Sequence, residues 1–353
     1  LIQTDGTVSH SEAVLREQLV VDKISKGEWP EEVYHEYQLF AASYGNVDSA
    51  RLMLEYGIGY RLQEETSHGV SVNEVVSSAF SCSIPQLHHA LDSGKSPNVP
   101  LSDGTTALMA ASYSGCTEAV DVLLQTDAEV DAIGRHGATA FMIASAMGHT
   151  DIVRKLSAGG ADVTVKHRFA NTSPLHMASE MEQVEAIKVL CELGYNGRHV
   201  TALGGNALHT AAQVGAANSV LALVSSPCSV PVDGLMNGDT TPLYLASQHG
   251  HSNTVKALLQ CGANVSFSMP VSPYKGSREL STSKSDSATN FAFVPNSEAG
   301  NGASALHAAA ENGHSNIVRL LIEQGGADVD MMGGIGVTAL HLAAQYDRKP
   351  VAK

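Results

Sequence analysis

Sixteen histidines and five cysteines are the side chains of this 353-residue sequence best suited to chemistry. Imidazoles and thiolates are the usual zinc ligands, and either group can carry a proton or attack an electrophile. Their spacing argues against those uses. Cys82, Cys116, Cys191, Cys228 and Cys261 are scattered, with no C-x-x-C pair among them. They are expected to be reduced, small core residues of an intracellular protein. His88-His89 stands without a cysteine or carboxylate at zinc spacing. His176, His209, His307 and His341 share one recurring sequence position, and His149, His251 and His314 share another. Equivalent rings therefore lie one repeat apart, which argues against metal ligation. The chain has no phosphate-binding glycine loop, dinucleotide fingerprint, G-x-S-x-G elbow or H-E-x-x-H helix. No catalytic residue, metal ligand or cofactor is expected, and an enzyme is not.

The elements that carry these histidines recur. Thr106-Ala107-Leu108-Met109 is echoed at Thr139-Ala140-Phe141-Met142, Ser173-Pro174-Leu175-His176, Asn206-Ala207-Leu208-His209 and Thr241-Pro242-Leu243-Tyr244, then at Ser304-Ala305-Leu306-His307 and Thr338-Ala339-Leu340-His341. The steps between second residues are 33, 34, 33, 35, 63 and 34, so the long step is one period plus a 30-residue insertion. Alanine stands four residues later in every unit: Ala111, Ala144, Ala178, Ala211, Ala246, Ala309 and Ala343. In the six complete units a Val/Ile column (Val120, Val153, Ile187, Val220, Val255, Val318) and a Leu column (Leu123, Leu156, Leu190, Leu223, Leu258, Leu321) follow in phase.

Each unit reads as two short helices. Thr, Ser or Asn before the first is a good N-cap, because its side-chain oxygen accepts an orphan amide. Pro174 and Pro242 suit the first helical position, where no N–H is needed. Gly115, Gly148, Gly215, Gly250 and Gly313 are placed to end the first helix in a left-handed turn. Val/Ile and Leu three apart give the second helix its apolar face. Such a pair cannot bury its faces alone and must stack on its neighbours.

In these residues the chain resembles the ankyrin-repeat family, whose T-P-L-H-x-A motif and period of about 33 it shares. The stretch from Ala308 to Val318 matches the family pattern closely, and clear matching covers about 102–265 and 301–353. The resemblance implies an all-α solenoid of helix pairs joined by β-hairpin-like fingers. It also implies function by protein binding. Upstream, 34–101 is expected to hold two degenerate repeats, and 1–33 a helical cap in which Trp29 is weighed as a core plug, the favoured account, against a binding anchor. The last repeat is expected to be incomplete at Lys353. Residues 266–300, serine-rich with three prolines, are expected to be a disordered insertion. A plainer tolerated loop is weighed there against a regulated docking segment around Ser277, Ser281, Ser283 and Ser285.

Charge narrows the partner. The net charge is −15, which argues against general nucleic-acid binding or adsorption to an anionic membrane. Residues 1–134 hold 20 acidic and 6 basic side chains, whereas 135–353 hold 16 and 15. No apolar run has the roughly 18 residues of a membrane helix. Arg135, Lys166, Arg168 and Arg198 fall in successive inter-repeat connections. Solvated fingers are often charged, which is the plainer account. The sharper one makes these four a positive stripe for an acidic segment of a partner protein. The expected role is a scaffold or adaptor with no catalysis of its own; a regulatory or substrate-recruiting arm of a larger enzyme (a ubiquitin ligase or kinase) and the cytoplasmic arm of a membrane channel are the alternatives.

Overall fold

The computed structural model describes residues 73–268 and 302–352, apart from short stretches at 102–103, 135–136, 165, 167–170, 196, 198, 202–203, 238 and 334–335. The chain divides into two compact units, Leu1–Val72 and Asn73–Lys353, and every described residue belongs to the second. The expected cap, Trp29, the first degenerate repeat and nearly all of the insertion lie outside the described residues.

Sixteen helices in eight pairs make up the described unit, with no strand among the described residues. They are α1 (Glu74–Phe80) and α2 (Ile84–Asp92), α3 (Ala107–Ser114) and α4 (Thr117–Leu124), α5 (Ala140–Met147) and α6 (Thr150–Ala158), and α7 (Pro174–Glu180) and α8 (Val184–Glu192). Next come α9 (Ala207–Val214) and α10 (Ala217–Val224), α11 (Pro242–Gln248) and α12 (Ser252–Gln260), α13 (Ala305–Glu311) and α14 (Ser315–Glu323), and α15 (Ala339–Gln345) and α16 (Lys349–Ala352). First helices pack on neighbouring first helices and second on second.

The columns of the sequence become the core. All seven alanines of the Ala column are buried, as are Val120, Val153, Ile187, Val220 and Val255. Val318 is only half-buried, because its neighbour on the far side is the four-residue α16. Alanine at the crossing lets backbones approach closely, and the Leu column then fills the space between second helices.

Local chemistry sets the helix ends. Thr106 and Thr139 accept the amides of Met109 and Met142 at 3.4 and 3.3 Å. The glycines expected to turn left-handed do so, with φ of +77° at Gly115 and +84° at Gly215. Between repeats, a backbone bond closes each of five fingers: Leu101 N–H to Thr105 C=O, Gly134 to Ala138, Thr201 to Gly205, Met236 to Thr240 and Gly333 to Val337, at 2.8–3.0 Å. Asx side chains then string finger to finger. Asn98 accepts the Glu129 amide at 2.8 Å, Asp131 that of Asp162 at 2.9 Å, and Asp233 that of Asn264 at 2.9 Å. At the insertion, Ser268 and Ser304 pair as an antiparallel bridge, so the chain leaves the array and returns at one place.

The cysteines correct an expectation. Four of the five are disulfide-bonded, Cys82 to Cys116 and Cys191 to Cys228, and only Cys261 is free. The physical reason is the stacking itself. Each pair joins adjacent repeats, so residues 34 and 37 apart in sequence sit with Cα atoms 5.5 and 5.1 Å apart. Cysteine usage therefore gives no argument for a reducing compartment.

Candidate interaction surface

The histidines prove to be fasteners. His176 Nδ1 accepts the Ser173 amide at 3.3 Å, while Nε2–H donates to the Gly205 carbonyl of the next finger at 3.2 Å. His209 bridges Asn206 and Thr240 in the same way, and His307 bridges Ser304 and Val337. An amide can only donate and a carbonyl can only accept, so each ring is fixed as the neutral tautomer with its proton on Nε2. Burial pushes the His176 and His209 imidazoles down to about 4, and that of His307 below its ordinary value. Both nitrogens are committed, which leaves no lone pair for a metal.

The second set of histidines clamps turns. The His149, His251 and His314 rings lie over Gly115, Gly215 and Gly250 of the preceding repeat, where an added Cβ would meet ring atoms at 2.7, 2.6 and 2.7 Å. Their Nε2 atoms donate to the carbonyls of Tyr113, Gln213 and Gln248. His88 and His89 are exposed on α2.

What remains for recognition is the finger row. Lys166 is exposed, and it makes no ion pair among the described residues. Arg135, Arg168 and Arg198 lie outside the described residues. Three basic side chains on α6 and α8 are engaged in ion pairs: Lys155 with Asp121 at 2.6 Å, Arg154 with Glu192 at 2.5 Å, and Lys188 with Glu185 at 2.7 Å. Asp162 accepts the Thr164 hydroxyl and amide at 2.7 and 2.8 Å, and these bonds hold its carboxyl below the ordinary value.

The sequence reading missed an apolar component of the same row. Ile133, Val200, Leu235 and Met332 are exposed by 56%, 43%, 43% and 69%, and Val99 is also exposed. The first four stand at one register position, seven residues before the second residue of the capping tetrad. That column was the available signal. It goes unnoticed when apolar residues are counted only as core. Exposed side chains of this kind, present at that position in four of the units on a backbone held in part by Asx bonds, make a surface that presents apolar tips beside charge.

The sequence model of ankyrin repeats (three copies) matches residues 76–167, 175–268 and 281–353. The chain belongs to the ankyrin-repeat family. Among curated proteins it is similar to human transient receptor potential cation channel subfamily A member 1, 28% identical over 265 residues, covering 71% of this chain and 20% of the relative. It is also similar to mouse Rabankyrin-5, 32% identical over 165 residues (46% of this chain, 14% of the relative). The Drosophila melanogaster channel subfamily A member 1 is 27% identical over 204 residues, covering 53% and 16%. The chain thus spans no more than about a fifth of the length of these relatives. No helix among the described residues is long and apolar enough to cross a membrane.

Proposed function

We propose that this chain is a non-catalytic scaffold that binds a partner protein along its finger row, with an acidic, apolar-spaced segment as the preferred ligand. The observation that carries the reading is the row itself. Apolar tips at Ile133, Val200 and Leu235 bracket Arg135, Lys166, Arg168 and Arg198 along the sequence, on fingers tied to one another through Asp131 and Asp233. A surface ordered before binding loses little conformational freedom on association, which favours affinity. The acidic region before residue 134 would repel the same segment and so set its position. The organisation that accompanies this reading is a cap over 1–33, degenerate repeats over 34–101, five repeats over 102–265, an insertion over 266–300 and the closing repeats over 301–353. An intracellular, cytoplasmic site of action belongs to the same proposal.

A second reading is favoured by the likeness to channel proteins. In it, the chain is the repeat arm of a membrane cation channel, and its finger row binds another part of that assembly.

A peptide library displayed against the full chain tests the scaffold reading. Acidic peptides should be enriched. The selected peptide should associate more slowly with Arg135→Glu/Arg168→Glu, and the wild-type advantage should shrink as salt rises. Neutral selected peptides whose kinetics ignore both changes would remove the stripe and leave the helical faces as the candidate surface.

A further inference from the structure

The left-handed position that closes each first helix holds Cys82, Gly115, Gly148, Glu182, Gly215, Gly250, Gly313 and Asp347. For the first seven of these, the residue at the covering position of the next repeat is Cys116, His149, Gln183, Ala216, His251, His314 and Arg348, in the same order. Where a glycine stands below, a large side chain covers it. Where Glu182 stands, the cover shrinks to Ala216, and the Glu182 carboxylate instead accepts the Asn218 amide at 2.9 Å. Cys82 and Cys116 are the pair that replaces packing with sulfur.

A third donor stands beside them. The Glu118 carboxylate is 4.0 Å from Cys116 Sγ, and the three ligand atoms lie within 4.8 Å of one another. Among the described residues no other such trio of His, Cys, Asp or Glu occurs. In particular, the Cys191–Cys228 pair has no third donor. Cys116 is buried, whereas Cys82 and Glu118 are exposed, so an ion can reach the trio from solvent. Cys116 is also the N-cap residue of the eight-residue α4, with no side-chain cap bond, so its sulfur stands at the positive end of that helix. Tetrahedral zinc with sulfur at about 2.3 Å sets the two sulfurs roughly 3.8 Å apart. That separation fits inside the observed spread once the S–S bond opens and exposed Cys82 rotates.

We infer that Cys82, Cys116 and Glu118 form a redox-gated site for a soft divalent cation of the zinc class. Oxidised, the sulfurs are bonded to each other and the site is closed. Reduction by a phosphine opens it: the disulfide and water give two thiols, and the phosphine becomes its oxide. A dication then takes both sulfurs and the Glu118 carboxylate and releases two protons, with water in the fourth position. The dication also offsets the repulsion between two thiolates and a carboxylate packed this closely. In both states adjacent repeats are tied at the same turn, first by a covalent bond and then by coordination.

The test is a cadmium titration of the full chain, reduced with phosphine and stripped of metal, followed through the ultraviolet thiolate-to-cadmium absorption. One equivalent should raise the band, and zinc should bleach it by displacement. Cys82→Gly restores the residue common in that column, so it keeps the turn, and it should abolish the band. Glu118→Gln should weaken binding by about tenfold or more, since even outer-shell changes cost that much. Cys191→Ser should leave the titration unchanged. As a second readout, zinc should slow modification of reduced Cys82 by an aromatic disulfide reagent. A band that survives Cys82→Gly, or thiols that react equally fast with and without zinc, would overturn the inference.

Discussion

At the scale of the residue, glycine and histidine are chosen for each other. Gly215 needs hydrogen in place of a side chain twice over: its φ is +84°, and an added Cβ would lie 2.6 Å from the His251 ring. Gly262 has the same φ class, +83°, with nothing within 4 Å. Gly262→Ala should cost about 1–2 kcal/mol, the backbone strain alone. Gly215→Ala should cost roughly 1–3 kcal/mol more through overpacking. Urea melts of the two variants check the difference, and Gly215→Ala/His251→Ala should recover part of it; equal costs would show that the ring does not press on the turn.

The buried imidazoles also fix a pH dependence. His176, His209 and His249 are lowered by burial to about 4, below the ordinary 6.5 of the unfolded chain. The unfolded state therefore gains protons first as pH falls. The stability these groups contribute is complete above about 6.5 and is lost progressively as pH falls towards 4. Glu180 runs the other way: burial raises its carboxyl from 4.5 to about 7, so its contribution is lost as pH rises through that interval. Comparing wild type with His209→Gln cancels the Glu180 part. The wild type should lose on the order of 1–3 kcal/mol more than the variant between pH 7 and pH 4.5, read from urea midpoints. Parallel pH profiles would contradict the buried neutral ring.

At the scale of the element, the alanine and leucine columns make opposite demands. Ala246 is fully buried where α11 meets its neighbours, so Ala246→Leu should overpack by about 1–3 kcal/mol. Leu258, fully buried on α12, should cost about 2–5 kcal/mol as Leu258→Ala through the cavity left behind. Urea denaturation measures both, and wild-type midpoints for the pair would place the helices in a different register. These columns, the N-caps and the turning glycines were legible in the sequence because each answers to chemistry within one repeat. What was not legible depended on neighbouring repeats. Cys82 and Cys116 are 34 residues apart, which is one period, but a search for close-set cysteines looks along the chain and not across the stack. The apolar finger tips were missed because Ile133 or Val200 alone resembles a stray core residue until its column is seen exposed.

At the scale of the whole array, stability is a sum of repeat terms and nearest-neighbour interfaces, so cooperativity is only as strong as the weakest junction. The junction between the 174–192 and 207–224 helix pairs departs most from the pattern. Ala216 replaces the covering histidine there, Glu182 replaces the glycine, and the asparagine and serine of that stretch take over the polar bonds, with Ser219 Oγ donating to the Ser179 carbonyl at 2.9 Å. The same junction carries the Cys191–Cys228 bond, which closes a 37-residue separation. On the chain-entropy account, a loop of that length contributes about 3–4 kcal/mol against unfolding. The covalent link therefore sits where the ring-over-glycine contact is missing. Cys191→Ser should weaken this interface selectively, and hydrogen exchange should report it by place. Amides of α7 to α10 should exchange faster, whereas those of α3 to α6 keep most of their protection, because coupling decays with each intervening interface. Uniformly faster exchange from α3 to α15 would mean that the array unfolds as one unit, and that the bond stabilises the whole instead of one junction.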